Sequence, residues 1–219
     1  MHPGQITFFE YKSSPFGRSL LATSNGDLEE IFLWNIYNRG QPASLENPSA
    51  DTPDTVLSAG GNYEIENMRW SNIGYQLYVT MKNGKNKDDY LLSIYDIPDG
   101  INNTGANMHS AEDNGRVSKI KKTAKNPNSA VQKISLPLNI SYFCLNDSNK
   151  NIIYGTNNTK KFTIDIRTPK SVSYFLDENN DAPVIDNEDS MVEYNQNNYI
   201  TFANRLQKTI HIYDVRQVN

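Results

Sequence analysis

The chain has 219 residues, which at roughly 100 to 200 residues per domain gives one domain or two, with enough length for a real core. Aromatic residues make up 11%, 13 Tyr among them, and that content excludes a wholly disordered chain, which would lack the bulk to bury surface. Lys and Arg number 21 against 25 Asp and Glu, a net charge of −4, so no overall basic field exists to hold nucleic acid by its phosphates.

In chain order, short apolar runs rich in Ile, Val, Tyr, Phe and Thr are bounded by Asn, Gly, Asp and Pro, which is the pattern of strands and turns rather than of long helices. A three-strand unit recurs four times. Its first strand is ITFFEYK (6–12), IENMRWS (65–71), ISYFCLN (140–146) and SMVEYNQ (190–196). Its second, closing on a turn, is SLLATSNG (19–26), QLYVTMKNG (76–84), NIIYGTNN (151–158) and YITFANR (199–205). The third is EIFLWNI (30–36), YLLSIYDI (90–97), KFTIDIR (161–167) and KTIHIYDVR (208–216). A fourth strand is predicted at DTVLSA (54–59), AVQKISL (130–136) and SVSYFL (171–176), with none after the last unit.

The third strands share an ending. Tyr95-Asp96 and Tyr213-Asp214 carry an aromatic residue followed by Asp, Trp34-Asn35 keeps the aromatic, and Ile164-Asp165 keeps the acid. With the four-strand unit and the stretch MRWSNIGYQLYVTMKNG (68–84), this resembles the WD40 repeat, whose blades are four-stranded antiparallel sheets ending the third strand in Trp-Asp. His2 stands where that family often has its Gly-His, and the other units lack it. The resemblance implies an all-β, WD40-type β-propeller: one domain over 1–219, with blades near 2–59, 63–136, 139–177 and 190–219. Family members commonly have seven blades of about 40–45 residues, about 300 in all, so four blades predict an incomplete ring. The expectation is a fragment of a larger propeller, or a partial ring completed by a further segment or by another chain.

The spacings between third-strand endings, 61 from Trp34 to Tyr95, 69 to Ile164 and 49 to Tyr213, exceed the usual repeat. The excess falls in polar stretches at 38–53, 98–130 and 177–190. The second is poor in apolar residues and is expected to be a disordered insertion, with Lys119, Lys121, Lys122 and Lys125 read as a solvated cluster. The third is acidic but lacks the D-x-D-x-D-G spacing of a Ca²⁺ loop.

Catalytic motifs are missing from the sequence. No G-x-S-x-G elbow occurs. One Cys and three scattered His, His2, His109 and His211, cannot supply the closely spaced ligands of a zinc site. His211 alternates with Ile210 and Ile212 and reads as a packing or hydrogen-bonding residue, and Cys144 as a buried inert thiol. The expectation is therefore a non-enzyme without cofactor or metal. A single cysteine and an N-terminus without a basic region and apolar core point to the cytoplasm or nucleus. Four N-x-S/T triplets, from Asn102, Asn139, Asn146 and Asn157, occur in a chain of 29 Asn and are read as chance. No run approaches the about 18 apolar residues of a membrane span.

Function is then expected in surfaces that bind other proteins, not nucleic acid. Two successive units end in Asp-x-Arg: Asp165-Ile166-Arg167 and Tyr213-Asp214-Val215-Arg216. This resembles the W-D-x-R motif of WD40 substrate receptors of cullin-based ubiquitin ligases. The resemblance makes Asp165, Arg167, Tyr213, Asp214 and Arg216 the candidate partner-binding residues, each Arg offering a bidentate donor. An Arg at that place can instead pair within its own blade. The functional expectation is a protein-interaction scaffold or adaptor, with a ubiquitin-ligase substrate receptor or a propeller subunit of a coat, pore or chromatin assembly as alternatives.

Overall fold

A computed structural model describes residues 8–12, 20–24, 30–35, 53–60, 62–72, 74–86, 88–97, 130, 132–146, 149–157, 160–170, 172–175, 189–195, 198–204 and 208–217. The insertion expected at 98–130 lies outside them apart from Ala130, as do His2, His109, the lysine cluster and nearly all of 38–53 and 177–190.

The described residues are all-β. Fifteen strands form four antiparallel sheets, each a simple meander in which every strand pairs with its neighbour in sequence. Sheet one is β1 (Phe8–Lys12), β2 (Leu20–Ser24), β3 (Glu30–Asn35) and β4 (Thr55–Ser58). Sheet two is β5 (Tyr63–Trp70), β6 (Gln76–Asn83), β7 (Tyr90–Asp96) and β8 (Gln132–Leu136). Sheet three is β9 (Tyr142–Leu145), β10 (Ile152–Thr156), β11 (Lys161–Asp165) and β12 (Val172–Tyr174). Sheet four has β13 (Asp189–Asn195), β14 (Tyr199–Asn204) and β15 (Thr209–Asp214), followed by a 3-10 turn at Val215–Gln217.

Each predicted strand has its counterpart, with boundary shifts that have local causes. β5 begins at Tyr63, before the predicted start, and absorbs the extra length in a register irregularity between Ile65 and Asn67. β9 starts only at Tyr142, since Ile140 and Ser141 form its approach, where the Ser141 amide already donates to the Thr156 carbonyl at 3.0 Å. Left-handed backbone at Gly74 (φ 72°) and Asn198 (φ 65°) turns the chain into β6 and β14, a conformation in which Gly and Asn are tolerated best.

The sheets stack in chain order, because consecutive strand residues point to opposite faces and both faces are apolar. In β6, Leu77, Val79 and Met81 pack toward sheet one, while Tyr78 packs toward sheet three. In β7, Tyr95 faces sheet one and Leu92 and Ile94 face sheet three. Sheet three repeats the rule: Phe143, Ile153, Phe162 and Ile164 face back to sheet two, Cys144 and Tyr154 forward to sheet four. Three apolar cores result, one between each successive pair of sheets. A side chain of this size contributes about 1.5–3 kcal/mol when fully buried, which is why the strands read as continuous apolar runs rather than strict alternations.

Register places equivalent rows across the sheets. Trp70, Leu77 and Tyr95 lie opposite one another and face sheet one, all buried. Leu145, Ile153 and Ile164 form the matching row facing sheet two. The first strands of the four sheets also lie side by side, β1 against β5, β5 against β9 and β9 against β13.

Candidate functional site

The third strands of sheets two, three and four end alike. The residue after the terminal acid donates its amide to the carbonyl just ahead of the second strand: Ile97 to Tyr75 at 2.8 Å, Ile166 to Asn151 at 2.8 Å, and Val215 to Asn198 at 2.9 Å. Ile97 and Ile166 are buried in the cores and Val215 packs on the third. A middle residue turned toward the core in Asp-x-Arg, Ile166 buried and Val215 half-buried, leaves the flanking Asp and Arg to meet outside.

They do so identically in sheets three and four. Asp165 Oδ1 accepts from the Arg167 amide at 3.0 Å and from Arg167 Nε at 2.9 Å, and Asp165 Oδ2 accepts from Nη2. Asp214 Oδ1 accepts from the Arg216 amide at 3.0 Å and from Nε at 2.9 Å, and Oδ2 again from Nη2. Each is a planar fork against a carboxylate. The hydrogen bonds from Arg167 hold the Asp165 carboxyl below the usual carboxylate range, and those from Arg216 do the same for Asp214. The Asp165 and Asp214 carboxylates raise their arginines in turn, with Tyr199 adding to the rise at Arg216. A carboxyl held low contributes to folding above its unfolded value and loses that contribution as pH falls through its folded one. The guanidinium side chains are 64% and 62% exposed, so solvent screens these pairs and their weight in stability is small. Chemically, each fork is an ion pair of no net charge whose guanidinium is held in place with N–H groups left over for an incoming acid.

The structure separates Tyr213 from the other candidates. Its half-buried ring packs in the third core, 5.2 Å from Phe175 and 5.6 Å from Phe202 between centroids, with His211 stacked on it at 6.5 Å. The buried Lys161 places Nζ 5.8 Å from both the Phe202 and Tyr213 rings. His211 Nε2 lies 3.0 Å from Thr209 Oγ1, a hydrogen-bonding place on the strand. Cys144 is buried and forms no disulfide.

Sequence reasoning missed a polar seam along the first strands. Arg69 Nη1 reaches Glu10 Oε1 at 3.3 Å, and its Nε donates to the Phe143 carbonyl at 3.2 Å, so one side chain ties three sheets. Trp70 Nε1 donates to the Glu10 carbonyl at 3.1 Å, Lys12 to the Ser71 carbonyl, and Asn67 Nδ2 to the Ser141 carbonyl at 2.9 Å. Burial pushes the Glu10 carboxyl up, outweighing the opposing pull of Arg69, so this pair is a positional tie more than a source of stability. The signal was present: in the aligned units Glu10 and Arg69 hold the same position with opposite charge.

Among the described residues no group of three or more His, Cys, Asp and Glu is arranged to hold a metal ion, and no helix is long and apolar enough to cross a membrane. The fold thus defines a class, an all-β chain of stacked antiparallel meanders, with exposed Asp–Arg forks on two of the four sheets. No family model and no curated protein matches the chain. Among solved structures it is similar to apo AztD from Citrobacter koseri, at 12% identity and a TM-score of 0.46, over 96% of this chain and 44% of that one. A likeness at that level carries no argument about either protein's function.

Proposed function

We propose that the chain is a non-catalytic scaffold for protein–protein contacts, built on a WD40-type propeller arrangement and acting in the cytoplasm or nucleus. Two features support the propeller reading: successive meanders stack in chain order, and their first strands lie side by side as the inner strands of blades would. The observation that carries the functional reading is the pair of Asp–Arg forks, Asp165–Arg167 and Asp214–Arg216, exposed at equivalent strand ends of neighbouring sheets. A guanidinium pinned by its own carboxylate has lost its rotamer freedom beforehand, so an acidic partner loses less entropy on docking there.

The ligase-receptor version is the narrower alternative. It uses the same two arginines, but each already spends Nε and Nη2 on its own Asp, which favours a general acidic-peptide contact over a dedicated adaptor socket. The experiment is affinity capture with mass spectrometry on the wild type and on Arg167→Glu/Arg216→Glu, with ligase adaptors scored separately. The expected outcome is loss of a subset of partners with an unchanged melting temperature. An identical partner set in both proteins would overturn the assignment to the forks, and loss confined to ligase adaptors would move the conclusion to the receptor.

A further inference from the structure

The stacking rule assigns two positions of each third strand to the core shared with the following sheet. They are Ile31 and Leu33 in sheet one and Leu92 and Ile94 in sheet two, all buried. In sheet three they are Lys161, buried, and Thr163, half-buried. The pairings fix the equivalence, with Leu33 opposite Ala22, Ile94 opposite Tyr78, Thr163 opposite Tyr154 and Ile212 opposite Thr201. In sheet four the two positions are Ile210 and Ile212, 67% and 66% exposed. Two isoleucines thus stand in water at places the other three sheets cover.

Sheet one carries the complementary face. Its row Tyr11, Leu21 and Trp34 is equivalent in register to Trp70, Leu77 and Tyr95, the row that sheet two lays against sheet one. Tyr11 is 51% exposed, and Leu21 and Trp34 are half-buried. Among the described residues, sheet four therefore presents a forward-facing apolar surface and sheet one a backward-facing one. Both belong to the interface already formed three times within the molecule, and no apolar core joins sheets one and four among the described residues.

We propose that the protein self-associates head to tail, sheet four of one copy stacking on sheet one of a second copy as sheet one stacks on sheet two. The occupant of the Ile210 and Ile212 face is the Tyr11, Leu21 and Trp34 row of another molecule, so this inference stands apart from the reading of the Asp–Arg forks. Such a contact is heterologous, two different surfaces meeting, and this gives it a signature that self-complementary pairing lacks.

The test uses Ile212→Glu and Tyr11→Glu, both at positions exposed in the single chain, so neither disturbs its core. Cooperative melting of each variant, at the temperature the wild type shows when diluted to monomer, verifies this. By sedimentation velocity the wild type is expected at twice the 24.8 kDa chain mass or more. Each variant alone is expected as a monomer, and an equimolar mixture of the two as a one-to-one complex through the one interface left intact. A wild type that stays monomeric as concentration rises would overturn the proposal, placing the covering sheet in another protein or in a further segment. A Tyr11→Glu variant that still dimerises alone would also overturn it, showing pairing of two fourth sheets instead.

Discussion

Single side chains do two kinds of work between the sheets, filling the cores and satisfying backbone groups at their margins. Tyr95 does both: its ring lies in the first core, and its hydroxyl donates to the Ser58 carbonyl of sheet one at 2.8 Å. Burial pushes its phenol up to about 12 from the ordinary 10.0. The folded state thus keeps a proton that the unfolded chain releases, and stability complete below pH 10 falls as pH rises toward 12. Urea titrations across that range are expected to show the midpoint declining, and Tyr95→Phe is expected to flatten the decline. At neutral pH the same substitution removes one hydrogen bond, to the carbonyl of the exposed Ser58, a loss of about 0.5–1.5 kcal/mol. The aromatic at this place was legible in the repeat of third-strand endings. Its hydroxyl contact was not, because the partner carbonyl comes from another sheet and carries no side-chain signature.

At the scale of the element, a strand in the middle of the stack must suit two cores at once. β10 places Ile153 toward sheet two and Tyr154 toward sheet four, and between Phe162 and Ile140 it keeps Gly155. A Cβ there would lie 2.9 Å from Phe162 Cε2 and 3.2 Å from Ile140 Cγ2, so the ring would have to yield within a closed core. Gly155→Ala is expected to destabilise by about 1–3 kcal/mol, read from the shift in denaturant midpoint at constant slope. Strands of this kind were the easiest to find, since QLYVTMKNG and NIIYGTNN are dense in apolar residues and end in turn formers. The Asp-x-Arg pairs were equally visible as spacing, but whether an Arg reaches outward or folds onto its own Asp depends on the buried Ile166 or half-buried Val215 between them. That is a matter of which face the strand end turns inward. The Glu10–Arg69 tie shows in the sequence only when one unit is laid on the next, as opposite charges at one position, and becomes a contact because β1 lies beside β5.

For the molecule as a whole, sheets two and three have described neighbours on both faces and sheets one and four on one. Amide exchange follows how many covering layers must open. Slowest exchange is therefore expected in β6 and β10 and faster exchange in β15, and equal rates throughout would contradict the stacking order. The antiparallel meanders were anticipated from the repeat of strands, whereas the open faces of sheets one and four came only from exposure. Every strand hydrogen-bonds to its sequence neighbour, and every apolar core joins consecutive sheets. A chain wired this way makes its first gains in hairpins of neighbouring strands, so each meander can begin to form on emerging from the ribosome and then serve as the template for the next.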